Sequence, residues 1–275
     1  MKNFALIIGL LMLAPAVARA QTAPAALNPD VVAQSLLQDT NGDGVIDIAA
    51  FGDSITRGEG DFISPDSHVE VSPNPNRPEQ GYPLRIESYL GIGVRNWGFS
   101  GEDLTEGGVA RFINLVVHTR PDVVIIAEGS NDARIPASPS TYGRAIQTMI
   151  NVAKAVGTTP VLSTIVPSCC DHQFLNPFLA TYNNEVRTRA IVNDLVLADP
   201  HHAFSNTCDV NNCRLLNRPE GLHPNIEGYD VMGEVMISTL LKINLFAPDG
   251  PTLLSQALGV PVESIKTVPD PLPPS

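Results

Sequence analysis

The chain has 275 residues, with 17 Lys and Arg against 29 Asp and Glu, a net charge of −12 with neutral histidines. So acidic a surface excludes a nucleic-acid partner, whose phosphates call for clustered basic side chains, and disfavours anionic membrane surfaces. The length suits one large α/β domain with a sizeable core.

Met1–Ala20 carries a single Lys2, an apolar run from Phe4 to Leu13, and small residues ending Ala18-Arg19-Ala20. That order is the order of a signal peptide, with cleavage expected before Gln21 and a secreted or periplasmic product. The run is short for a bilayer, and no later stretch reaches the ~20 apolar residues of a membrane helix. Cleavage takes Lys plus Arg from 17 to 15 against 29 acids and leaves 255 residues at −14. A soluble monomer without a membrane partner is expected.

Residues 21–44 read as a leader with a short helical candidate at Asp30–Leu37. Within it begins Asp39-Thr40-Asn41-Gly42-Asp43-Gly44-Val45-Ile46-Asp47. Oxygen ligands at Asp39, Asn41, Asp43 and Asp47, and a glycine in sixth place, reproduce the first nine positions of a calcium loop of the EF-hand type. Position 12 of such a loop is a bidentate acid; here it is Ala50. A structural calcium site and a plain Asp/Gly-rich turn both remain open.

From Val45 onward apolar runs alternate with amphipathic stretches. Val45–Phe51, Gly93–Trp97, Val123–Ala127, Pro160–Val166 and Leu195–Ala198 read as buried strands, apolar throughout rather than alternating. Between and after them come helical candidates at Tyr82–Leu90, Leu104–His118, Ser140–Val156, Asn176–Asn193 and Asn225–Leu245. Strand alternating with helix predicts an α/β domain over residues 45–245, its parallel sheet covered on both faces. In such sheets the loops at the carboxyl ends of the strands build the active site. Phe62–Gln80, rich in proline and lacking periodicity, is expected to be a surface insertion at the rim of the site. Residues 246–275 form a Pro-rich tail, in which Leu253–Leu258 is expected to dock on the body.

Cys169, Cys170, Cys208 and Cys213 are an even set, read in an exported protein as disulfides. A local Cys208–Cys213 bridge would leave Cys169 and Cys170 as a vicinal pair or free thiols; cross-pairing is the alternative.

The chemistry gathers in four places. Val45–Phe51 runs into Gly52-Asp53-Ser54-Ile55-Thr56, which presents Ser54 at a strand exit. Asn96-Trp97-Gly98-Phe99-Ser100-Gly101-Glu102 ends the next strand, with glycines that let backbone N–H groups approach a bound oxygen. Gly129-Ser130-Asn131-Asp132 follows the most apolar strand and offers the Asn131 amide to the same oxygen. Glu220-Gly221-Leu222-His223-Pro224 leads into the last helix with an imidazole to take the serine proton and a carboxylate to orient it.

In that order, Gly-Asp-Ser, a glycine-bearing Asn-x-Gly-x-x-Gly, Gly-x-Asn-Asp and a carboxylate-x-x-His resemble the four sequence blocks of the SGNH/GDSL hydrolases, from about Val45 to Leu241. The resemblance implies a three-layer α/β/α sandwich with a five-stranded parallel sheet of flavodoxin-like order, and ester hydrolysis through an acyl-enzyme without a cofactor. It assigns Ser54 as nucleophile and His223 as base, with Ser54, Gly101 and Asn131 forming the oxyanion hole. The family usually places Asp three residues before the histidine; here it is Glu220, one methylene longer, and Asp/Glu exchange is known in other serine hydrolases.

Other polar residues have plainer expectations. Asp53 and Asp132 are read as holding their loops through backbone amides. His68, His118, His172, His201 and His202 are read as loop or surface residues, with the His201-His202 pair lacking a metal partner at defined spacing. Arg57 and Arg134 are read as solvated charges, and Trp97 as core or pocket lining. Among exported relatives the resemblance suggests short acyl, above all acetyl, esters of carbohydrates. Short-chain lipid esters are the rival, and a non-catalytic carbohydrate- or calcium-binding module is the reading from another class.

Overall fold

Five short runs, four of them largely apolar in sequence, pair side by side into one sheet. The structure, a computed structural model, describes residues 27, 29–66, 81–209 and 211–267. The signal segment Met1–Ala20 with its cleavage point, residues 67–80 of the expected insertion, and the tail beyond 267 lie outside the described residues.

The strands are β1 (Ile48–Gly52), β2 (Val94–Gly98), β3 (Val123–Ala127), β4 (Thr159–Ser163) and β5 (Leu197–Ala198), all parallel in the order β2-β1-β3-β4-β5. Among the described residues the helices are α1 (Pro29–Gln34), α2 (Ser54–Arg57), α3 (Gly81–Leu90), α4 (Val109–Thr119), α5 (Pro139–Ala155), α6 (Asn176–Val192), α7 (Pro200–Ser205), α8 (Ile226–Leu240) and α9 (Gly250–Leu258). The fold is the α/β/α sandwich with a five-stranded parallel sheet that the sequence implied.

Uninterrupted apolar strands serve two layers at once because successive side chains point to opposite faces. Ile48 and Ala50 of β1, with Val123 and Ile125 of β3, enter one core together with Ile86, Tyr229, Val235, Met236 and Leu240. Ala49 and Phe51, with Val124 and Ile126, enter the other with Phe112, Ile146, Met149, Leu179 and Val186. The first layer therefore rests on α3 and α8, and the second on α4, α5 and α6.

Three expectations are corrected. Strand β2 lies at the edge of the sheet, so Arg95 and Asn96 are exposed rather than buried. The helix expected over Leu104–His118 opens with a wide turn at Leu104–Gly108 before α4 begins. The last long helix stops at Leu240 rather than Leu245, where Lys242 takes a left-handed φ of 57° and Ile243 N–H donates back to the Ser238 carbonyl at 2.8 Å. Beyond it, α9 buries Leu254 and Leu258 against the first core. The Glu234 carboxylate accepts the Lys266 and Thr267 N–H groups, both at 2.7 Å, and fixes the chain that follows.

The oxygens of the Asp39–Asp47 loop accept hydrogen bonds from within the protein. Asp39 spends its oxygens on the N–H groups of Gly42 and Gly44, at 2.6 and 2.9 Å. Asn41 and Asp43 accept from Asp43 and Val45 N–H, each at 2.9 Å. Asp47 pairs with the Arg95 guanidinium at 2.7 Å and accepts the Asp122 N–H at 3.1 Å. No group of three or more acidic, His or Cys side chains converges on a point among the described residues. The loop is a hydrogen-bonded turn on the Asp122 side of the sheet. Millimolar calcium is expected to leave the melting temperature unchanged; a rise of several degrees would show that the loop binds the ion after all.

Candidate active site

The register of the sheet decides where the four blocks meet. Gly52 pairs with Gly98 on one side and Ala127 on the other, so β1, β2 and β3 release their loops at one edge. A Cβ on Gly52 would lie 2.0 Å from Thr56 Oγ1 and 2.2 Å from the Ala127 carbonyl oxygen. Only glycine leaves room there for Thr56 and the Ala127 carbonyl to pack against the strand exit. Asp53 caps that helix, α2, by accepting the Ile55 N–H at 2.9 Å. Ser54 becomes its first residue, where the backbone N–H has no intrahelical acceptor.

His223 arrives from the other end of the chain on the loop before α8. Asn225 caps α8 through the Gly228 N–H at 3.0 Å and donates its amide to the Arg214 carbonyl at 2.6 Å. The Asn217 N–H bonds the His223 carbonyl at 2.9 Å, closing the loop. Gly60 packs on this loop so tightly that a Cβ would lie 2.0 Å from Asn217 Nδ2 and 2.7 Å from the Pro224 carbonyl oxygen. The outcome is His223 Nε2 at 2.8 Å from Ser54 Oγ. Nδ1 hydrogen-bonds Glu220 Oε1, and Glu220 Oε2 accepts the His223 N–H at 3.3 Å. The longer glutamate side chain thus reaches the imidazole across three residues. Its own backbone is braced from behind, with His172 Nδ1 2.7 Å from the Glu220 carbonyl and Cys169 N–H on the Gly221 carbonyl at 2.8 Å.

Charge follows this geometry. Burial works against a charged imidazole, but Glu220, Glu59 and Asp53 together hold His223 above its ordinary pKa. Burial likewise opposes the Glu220 charge, and the hydrogen bond and charge of His223 hold its carboxyl below the usual value. A serine hydroxyl, an imidazole able to take its proton and a carboxylate to orient that imidazole are the parts of an acyl-transfer site.

Asn131 is 8% exposed, and its Nδ2 is buried with no hydrogen-bond partner among the described residues. A buried amide donor without an acceptor is costly, and this one is free to donate to an added oxygen. Gly101 lies exposed in the turn after β2, its N–H tied to no carbonyl among the described residues.

The profile of the GDSL-like lipase/acylhydrolase family matches residues 50–231, two thirds of the chain. The chain belongs to that family. It is accordingly a carboxylic ester hydrolase. No curated protein matches it. Solved structures share the fold at low identity. A lipolytic protein of the G-D-S-L family from Desulfitobacterium hafniense is 23% identical, with a TM-score of 0.56 over 70% of this chain and 99% of that one. A lipase/acylhydrolase from Enterococcus faecalis is 22% identical, with a TM-score of 0.58 over 72% and 96%. An acetyl xylan esterase from Geobacillus stearothermophilus is 19% identical, with a TM-score of 0.55 over 71% and 94%.

The remaining sequence-level residues of this GDSL hydrolase fall as follows. Arg57 and Arg134 are exposed, and Arg57 donates to Ser100 Oγ at 3.0 Å. Trp97 is half-buried and packs on the second core. His202 packs its ring against Phe246, and no metal cluster forms with His201 among the described residues. Cys208 and Cys213 stand at bonding distance, whereas Cys169 and Cys170 are free, with their sulfurs 2.6 Å apart.

Two carboxyls escaped the sequence reading. Glu128 follows β3 directly and is 2% exposed, both oxygens lacking a hydrogen-bond partner among the described residues. Burial, with Asp53, Glu102 and Asp132 nearby, pushes it well above the ordinary carboxylate range and favours its neutral acid. A glutamate closing an apolar strand was the available signal. Glu59 has its Oε2 3.5 Å from His223 Nε2, and nothing in its local sequence announces that approach.

Asp132 ties the third block to the turn that follows the second. It accepts the Leu104 and Thr105 N–H groups at 2.8 and 3.0 Å and the Thr105 hydroxyl at 2.8 Å. Tyr142 and Tyr182 hold the same loop by donating to the Glu128 and Asp132 carbonyls at 2.7 and 3.1 Å. Asp132→Ala strands these donors, and a loss of roughly 2–4 kcal/mol in urea unfolding is expected. A change below about 1 kcal/mol would contradict that role.

Proposed function

We propose that the protein is an exported, monomeric serine esterase that removes short acyl groups, above all acetyl, from carbohydrate esters. Ser54 Oγ attacks the carbonyl carbon while His223 Nε2 takes its proton, and Glu220 keeps the imidazole in the receptive tautomer. The oxyanion is received by the Ser54 and Gly101 N–H groups and the Asn131 amide. His223 then protonates the leaving alcohol, and water, activated by the same nitrogen, releases the acid and restores Ser54.

The observation that carries the reading is the hydrogen-bonded line Ser54–His223–Glu220 beside the unpartnered Asn131 amide. Support for a carbohydrate alcohol comes from Glu59 beside the imidazole, with Ser100 and Arg57 bound to it, and from an acetyl xylan esterase among the structural neighbours. Export rests on the charged, apolar and small-residue order of Met1–Ala20. A short-chain lipid esterase is the second reading, favoured by Phe99, which is 59% exposed next to this cluster.

Ser54→Ala is expected to abolish p-nitrophenyl acetate hydrolysis in a folded protein, and Asn131→Ala to lower kcat by about 10²–10³. Rates should fall from acetate to octanoate, with acetate released from acetylated xylan. Undiminished hydrolysis by Ser54→Ala contradicts the mechanism; a preference for octanoate contradicts the substrate.

A further inference from the structure

We propose that Glu59 is a second carboxylate partner of the His223 imidazole, a positioning residue that steadies the positive charge formed when Nε2 takes the serine proton. The inference rests on the serine-esterase reading above and concerns a residue outside all four sequence blocks.

Its position is built rather than incidental. Glu59 N–H donates to the Ser54 carbonyl at 3.0 Å, and its own carbonyl accepts the Tyr229 hydroxyl from α8 at 2.8 Å. Two residues on, Asp61 accepts the Gly81 N–H at 3.1 Å and binds the Arg85 guanidinium, so the turn is also pinned to α3. One oxygen of the carboxylate is held, Oε1 accepting the Ser100 hydroxyl with Arg57 3.6 Å away. That leaves Oε2 at 3.5 Å from His223 Nε2, the nitrogen that also meets Ser54 Oγ at 2.8 Å.

The chemistry of the cycle gives this contact a task. In the resting site Nδ1–H points to Glu220, and the Nε2 lone pair accepts the Ser54 hydroxyl. Once the proton moves, Nε2 becomes a donor while Ser54 Oγ is bonded to carbon. Glu59 then faces the new N–H, and the imidazolium lies between two carboxylates. Such stabilisation favours the transition state, but it also makes the resting base easier to protonate as the medium turns acidic. Ser100 and Arg57 draw charge from Oε1 and temper the effect.

The groups facing His223 are Glu220 on its own loop, Asp53 before α2 and Glu59 after it, with His172 behind Glu220. Only Glu59 changes in a Glu59→Gln variant. Removing a negative neighbour lowers the pKa of the imidazole, so the neutral base persists to lower pH. Glu59 is 31% exposed on its side chain, and with partial screening the expected displacement is about 0.5–1 pH unit.

The test follows the His223 imidazole by NMR titration in the mature full chain, its signal assigned by loss in His223→Asn. Glu59→Gln should lower the titration midpoint by about 0.5–1 unit, with Glu59→Asp in between. The acid limb of kcat/KM for p-nitrophenyl acetate should move down by the same amount. A midpoint equal to wild type in both variants overturns the proposal, and so does a loss of kcat uniform across pH with the limb unmoved. The titration reads His223 whether or not an ester is cleaved. A wild type inert towards esters therefore sinks the esterase reading separately, while the midpoint still decides Glu59.

Discussion

The contact between Ser54 Oγ and His223 Nε2 joins residues 169 positions apart, and the surrounding architecture holds those two atoms in place. Ser54 is fixed by a buried parallel strand, a glycine without room for a Cβ, and an aspartate cap. His223 is fixed by a loop closed through Asn217 and Asn225 and by the N-terminus of the most thoroughly buried helix, α8. Gly60 lets the two supports touch. A displacement of about 1 Å at such a junction can cost ~10² in rate, which accounts for backbone-level bracing on both sides.

The cost of this arrangement is concentrated negative charge. Glu220 and Glu59 flank one ring, and Asp53 and Glu128 lie buried at the adjacent exits of β1 and β3. Burial pushes both Asp53 and Glu128 up, Glu128 the further, because Glu128 has no hydrogen-bond donor to hold its charge. Glu220, by contrast, is held below its ordinary value by His223, and Asp132 accepts two backbone amides and a hydroxyl. An acidic protein thus keeps its buried acids apart in role by hydrogen bonding.

Much of this was legible in the chain. The exits of β1 and β3 could be read because apolar runs give way to Gly52-Asp53-Ser54 and Gly129-Ser130-Asn131, and Glu220 could be placed by its spacing to His223. Edge position could not be read, since Val94 and Trp97 make β2 look buried while the pairing order leaves Arg95 and Asn96 exposed. The end of α8 was overrun because Leu241, Ile243 and Leu245 continue the apolar residues of the helix, and the left-handed φ of Lys242 is invisible in hydropathy. The calcium-like loop matched a pattern of oxygen atoms, but those atoms serve nearby N–H groups and Arg95. Glu59 was hidden for a related reason: its approach to His223 depends on a turn meeting a loop from the far end of the chain.

The central claim is that Ser54 is the nucleophile, made so by its imidazole partner. Intact-mass and peptide mass spectrometry after reaction with a fluorophosphonate measures it most directly. One adduct per chain, on the peptide bearing Ser54 and lost in His223→Ala, is the result expected. An adduct on another serine, or labelling of Ser54 undiminished in His223→Ala, would contradict the account.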